Sequence, residues 1–201
     1  PSMSTEILSS SSSSCAYRDR VVLGHGPRRI LVLVGIHGNE GCGVHAVGQI
    51  LSRFRLFHGS SDVSSHDLRN DAFWDDKPIS TLFDKLTIEF VLGNPQAYQK
   101  SSRFIQRNLN RLFDERLLCD DQRANLEGYQ YELQRARIIN ESIRRADFVL
   151  DIHSCSADVG SFALPTSLDI AEEFAQQLPV KYVVQSLAHM TLEGGTTMDA
   201  S

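Results

Sequence analysis

The sequence predicts an α/β fold built on a mixed, largely parallel sheet flanked by helices, and three observations carry that expectation. Residues 29–36 and 86–92 are almost continuously apolar, the pattern of strands covered on both faces. Residues 42–57 and 129–145 instead space their apolar side chains for one face of a helix. Strands and helices alternate along the chain, which favours parallel strands joined by helical crossovers.

Taken in order, residues 20–24 suit a short edge strand. The strand at 29–36 runs into a glycine-rich turn, Gly35-Ile36-His37-Gly38-Asn39-Glu40-Gly41. In the helix that follows, Val44, Val47, Leu51 and Phe54 share the apolar face. Residues 58–77 are polar and irregular and read as an exposed loop. The strand at 86–92 ends at Gly93-Asn94-Pro95, where proline and glycine break the pattern. Residues 96–113 are mixed and dense in arginine and asparagine. The helix at 129–145 turns Leu133, Ala136, Ile143 and either Ile138 or Ile139 inward. A strand at 148–152 ends at His153, a helix spans 167–178 before Pro179, and 180–185 reads as a fourth strand. Six consecutive serines, Ser9 to Ser14, sit in a polar leader. Residues 1–19 are therefore expected to be a flexible Ser-rich tail, and 20–201 a single domain.

Composition narrows the function classes. The chain has 201 residues, 41% hydrophobic and 22% charged, with a formal net charge of -5. That supports a globular domain and offers no basic stripe for nucleic acid. The longest apolar run, residues 30–36, is too short to cross a bilayer, and the N-terminus lacks the order of a signal peptide. The four cysteines, Cys15, Cys42, Cys119 and Cys155, are far apart and unpaired by motif. They read as reduced thiols in a cytoplasmic protein, with Cys155 a small buried or half-buried one.

The chemistry gathers at strand ends. His37 and Glu40 follow one buried strand and His153 follows another, so in a parallel sheet all three reach the carboxyl edge, where such sheets bind ligands. Two imidazoles and a carboxylate are donors suited to a catalytic zinc, and three protein ligands leave a position for water. Gly38 is expected to let the backbone turn sharply between the first two. Asp151, two residues before His153, points to the same strand face and could meet a ligand or a backbone group. His45 and His189 lack comparable positions. Arg103, Arg107 and Arg111 recur every four residues with Asn108 and Asn110 among them. They could form a solvated basic face on a short helix. That is the reading the stretch favours by itself; the alternative is recognition of a carboxylate through guanidinium forks, or stabilisation of an oxyanion beside the metal.

Four ordered blocks add a resemblance. Gly35 to Glu40, Asn94-Pro95-Gln96-Ala97, Arg103 with Asn108-Leu109-Asn110-Arg111-Leu112-Phe113, and Asp151-Ile152-His153 together resemble the succinylglutamate desuccinylase and aspartoacylase family, relatives of the zinc carboxypeptidases. The resemblance implies a zinc-carboxypeptidase-like fold, one bound Zn2+ and hydrolysis of an N-acyl amino acid to a carboxylate and a free amine. His37, Glu40 and His153 match the zinc ligands, Arg103 the arginine that polarises the scissile carbonyl, and Asn110 with Arg111 the pair that grips a substrate carboxylate. It also implies a catalytic glutamate beyond Ser201 and a C-terminal β-rich domain, so residues 20–201 are expected to be the zinc-binding part of a longer hydrolase. Glu193 precedes the threonine pair Thr196-Thr197 and does not match the base. Met198 departs from relatives that carry an arginine nearby, which weighs against an aspartate-like substrate. The expected partner is a small N-acyl amino acid, with no nucleic acid or membrane and with a homo-oligomer left open. The competing readings are a carboxypeptidase-like metallopeptidase and a zinc-binding module without catalysis.

Overall fold

The structure, a computed structural model, describes residues 19–57, 79–119, 128, 130–166 and 169–184. The serine-rich leader, the loop expected over 58–77, and His189, Glu193 and Met198 lie outside the described residues.

Four strands form the main sheet: β1 (Arg20–Gly24), β2 (Arg28–Val34), β3 (Leu86–Leu92) and β4 (Phe148–Ile152), in the order β1-β3-β2-β4. β2 runs parallel to both β3 and β4, and β1 pairs antiparallel with β3 at the edge. β2 is thus flanked on both sides by parallel partners, and its alternating side chains enter two different cores. Leu31 and Leu33 pack with Val91 against Leu133, Ala136, Ile139 and Ile143 of one helix, Gln130–Ile143. Val32 and Val34 pack with Phe90 and Leu92 against Val44 and Val47 of another, Cys42–Phe57. Burial on both faces explains why these strands read as unbroken apolar runs.

With Cys42–Phe57 as α1, the remaining helices are α2 (Ile79–Phe83), α3 (Pro95–Gln99), α4 (Glu115–Leu118), α5 (Gln130–Ile143) and α6 (Asp169–Gln177). The choice between Ile138 and Ile139 falls to Ile139, which is fully buried while Ile138 is exposed. Two expectations need correction. The strand expected over 180–185 does not join the main sheet among the described residues: β6 (Tyr182–Val183) is two residues long and pairs in parallel with β5 (Phe162–Ala163) in a separate sheet. The strand expected over 29–36 starts one residue earlier and stops at Val34, because Gly35 takes a positive φ of 62° that ends the extended backbone. No helix among the described residues is long and apolar enough to cross a membrane.

Candidate metal centre

The parallel register brings the strand ends together. Val34 pairs with Leu92 on one side and with Ile152 on the other, so the segments after all three strands emerge side by side. The amides of Gly93 and Asn94 donate to the carbonyls of Val34 and Gly35, extending the pairing past β3. His37 and Glu40 sit in the turn after β2, and His153 directly after β4.

The turn is held by backbone proximity. A Cβ on Gly38 would stand 2.1 Å from the carbonyl carbon of Ala97 and 2.3 Å from the amide nitrogen of Tyr98. The glycine expected for a sharp turn is therefore required by close approach to α3, and its amide donates to the carbonyl of Arg103 at 3.2 Å. α3 itself is fixed by Asn94, whose side chain accepts the amide of Ala97, and by Pro95 in its first turn.

His37, Glu40 and His153 bring one ligand atom each to within 4.8 Å of one another, and could hold a metal ion. Both histidines turn Nδ1 toward the carboxylate, His37 at 2.8 Å from Oε1 and His153 at 2.9 Å from Oε2. Their far nitrogens are engaged by other side chains. His153 Nε2 lies 3.0 Å from Asp151 Oδ2, the neighbour expected from the strand alternation. His37 Nε2 lies 3.0 Å from Asn108 Oδ1, which also accepts the backbone N–H of Asn110. A backbone amide can only donate, so this Asn108 atom is the acceptor oxygen and His37 Nε2 is the protonated nitrogen. The lone pair of His37 then sits on Nδ1, facing Glu40.

That arrangement asks for a cation. His37 Nδ1 is buried and makes no hydrogen bond despite its short distance to Glu40. Burial is the largest influence on His37 and holds its pKa below the ordinary value, favouring the neutral ring over one protonated on both nitrogens. A lone pair and a carboxylate oxygen at this distance repel unless positive charge stands between them, and the donor set fits a zinc-type ion. Burial alone would raise the pKa of Glu40, but the amide of Ser154, 3.1 Å from Oε2, and the two imidazoles lower it. Burial likewise works to lower His153, yet the hydrogen bond and charge of Asp151, aided by Glu40, raise it.

Of the arginines, Arg103 reaches the cluster: its Nη1 donates to Glu40 Oε1 at 3.0 Å, with the side chain about half exposed. Arg103, Arg107 and Arg111 do not share one helical face, since the segment is irregular up to a three-residue 3-10 turn at Leu109–Arg111. Asn110 meets Asn108 through its amide, and Arg111 Nη1 donates to the Asn110 carbonyl at 2.7 Å. Cys155 is exposed rather than buried, and Cys42 and Cys119 are likewise free and exposed. The ring of His45 lies beside the position of Gly41, outside the three-residue cluster.

Sequence reasoning missed two roles. Asn108 opens the block Asn108 to Phe113, and only its contact with His37 shows what it does. Glu132, inside an amphipathic helix, is completely buried. A charged residue amid the inward positions of α5 was the available signal.

Fold and cluster define an α/β chain with a largely parallel sheet whose strand-end residues His37, Glu40 and His153 could hold a metal ion. Residues 74–195 match the model of the succinylglutamate desuccinylase/aspartoacylase catalytic domain, and the chain belongs to that family. The matched span contains Arg103, Asn110, Arg111 and His153, whereas His37 and Glu40 precede it. The chain is 29% identical over 139 residues to a probable aspartoacylase of Prochlorococcus marinus (strain AS9601), covering 67% of this chain and 36% of the relative. It is 30% identical over 177 residues to an N-acyl-aromatic-L-amino acid amidohydrolase (carboxylate-forming) of Xenopus tropicalis, covering 83% and 48%. The chain thus spans half or less of the length of these relatives. In fold it is similar to the ectoine utilization protein EutE (DoeB) of Ruegeria pomeroyi, with a TM-score of 0.59, 18% identity, and 90% and 48% of the two chains covered. Murine aminoacylase 3 gives a TM-score of 0.55 at 22% identity, covering 88% and 54%.

Proposed function

We propose that this chain is the metal-binding part of a zinc-dependent amidohydrolase that cleaves the amide bond of an N-acyl amino acid. The convergence of His37 Nδ1, Glu40 and His153 Nδ1 carries the reading, and the names of the family and of its similar members support it. A bound zinc ion would activate a water molecule and polarise the scissile carbonyl.

The chain's own residues would do the rest. Asn108 and Asp151 hold the two imidazoles with Nδ1 turned inward. Arg103, whose Nη1 donates to Glu40 Oε1, is assigned to stabilise charge developing on the carbonyl oxygen. Asn110 and Arg111 are assigned to the substrate carboxylate, for which a planar guanidinium fork is suited. The proton acceptor is assigned to a glutamate following residue 201. We further assign residues 20–201 to one domain and the exposed free thiols to a reducing, cytoplasmic setting.

The test is zinc content together with hydrolysis in the full-length protein. About one zinc per chain and release of free amine from N-acyl amino acids, both lost in His153→Ala, is the expected result. Unchanged zinc content in both His37→Ala and His153→Ala would overturn the metal assignment. Release of C-terminal residues from peptides in preference to acyl amino acids would replace the deacylase with a peptidase.

A further inference from the structure

Glu132 lies on α5, yet none of its oxygens serves that helix. Oε1 accepts the backbone amide of Ile105 at 2.6 Å and the side-chain amide of Asn94 at 3.2 Å. Oε2 accepts the backbone amides of Gln106 at 3.0 Å and Arg107 at 3.2 Å. Three consecutive N–H groups therefore wrap one fully buried carboxylate, as backbone nests wrap anions. Residues 105–107 belong to no helix or strand that would satisfy these amides, so the carboxylate is their partner.

The helix that carries the carboxylate is itself pinned to the sheet. One turn further on, Arg135 donates from Nε to the carbonyl of Gly93 at 2.9 Å and from Nη2 to that of Leu92 at 2.8 Å. The helix thus grips the end of β3 with a cation and the following loop with an anion, each matched to backbone groups of opposite polarity. The clamped residues 105–107 are bracketed by Arg103, which meets Glu40, and Asn108, which meets His37.

From this geometry we infer that Glu132 is a positioning residue of the metal centre: by holding the amides of residues 105–107 it sets Arg103 and Asn108 against Glu40 and His37. The consequence for turnover rests on the function proposed above; the consequence for the loop does not. A misplacement of about 1 Å at a catalytic group can cost on the order of a hundredfold in rate, so a loosened clamp should appear in kcat through Arg103.

The experiment compares wild type, Glu132→Gln, Arg103→Ala and the double variant in the full-length protein. Glu132→Gln keeps the shape but replaces one acceptor oxygen with a donor. Amide exchange at residues 105–107 should accelerate about tenfold or more. The amides of Gly38 and Asn110, whose acceptors belong to Arg103 and Asn108, should follow, while those of β2 stay unchanged. With an N-acyl amino acid, kcat should fall about ten- to a hundredfold at nearly constant KM. That loss should be smaller when Arg103 is already alanine, leaving the part that passes through Asn108 and His37. Faster exchange confined to 105–107, or additive losses in the double variant, would overturn the inference. If Glu132→Gln does not fold, Glu132→Asp, which withdraws the carboxylate by one methylene, is read in the same way. Wild type lacking deacylase activity but showing the linked exchange pattern in the variant would sink the proposed function and leave the clamp standing.

Discussion

One amide oxygen, Asn108 Oδ1, lies 3.0 Å from His37 Nε2 and also accepts the backbone N–H of Asn110. It ties the orientation of an imidazole after β2 to a turn 71 residues later in the chain. Because the amide of Asn110 fixes this atom as an acceptor, His37 has one tautomer that satisfies it, and that tautomer offers Nδ1 to the cluster.

Asn108→Ala should therefore weaken zinc binding without removing a ligand. Partners that orient a metal-binding histidine are typically worth about 10- to 100-fold in affinity. Competition with a chromophoric chelator measures this, and wild-type affinity in the alanine variant would show that His37 is oriented by its packing alone.

The two arginines should separate in kinetics. Arg103→Ala should lower kcat by about a hundredfold or more with a modest change in KM, because charge on the carbonyl oxygen develops in the transition state. Arg111→Ala should chiefly raise KM, because the contact proposed for it with the substrate carboxylate would be made equally by bound substrate. Steady-state rates on the full-length protein decide it; the reversed pattern would exchange the two roles.

Gly38→Ala tests the packing of the turn on α3. The added methyl would meet the backbone of Ala97 and Tyr98, which cannot rotate away as a side chain could. Overpacking of this kind costs about 1–3 kcal/mol. Urea denaturation should show that loss, and zinc content should fall with it because His37 and Glu40 flank the displaced residue. Wild-type values for both would mean that α3 gives way easily.

The location of the proton acceptor can be tested by length. Residues 1–201 should hold zinc but hydrolyse N-acyl amino acids about a hundred- to ten-thousand-fold more slowly than the full-length protein, the usual worth of general-base help. Changing the proposed downstream glutamate to glutamine in the full-length protein should reproduce most of that loss. Equal rates for the short and full-length chains would place the base within these residues, and Glu193→Gln would then be the variant to measure.

The ends of α1, β3 and β4 were legible in the sequence because their signals are local. Leu86–Leu92 is bounded by breakers, and the apolar spacing in α1 needs no knowledge of a partner. The identities of His37, Glu40 and His153 as candidates were legible for a related reason: a residue directly after a parallel strand is carried to the same sheet edge whatever the remaining chain does. Contacts between segments were not. That His37 is held by Asn108, that Gly38 is required by the backbone of α3, and that Glu132 points across to three loop amides each depend on register between distant elements. Side-chain type restricts which bonds a residue can make, but the choice among partners is set by which backbone groups packing leaves unsatisfied nearby. The short pairing of β5 with β6 was hidden on the same ground, since two-residue strands carry too little pattern to announce a partner. The sequence determined the strands of the main sheet, the main helices and which residues carry the donor atoms; the tertiary structure decided which lone pairs face one another, because that is a property of distances no single segment contains.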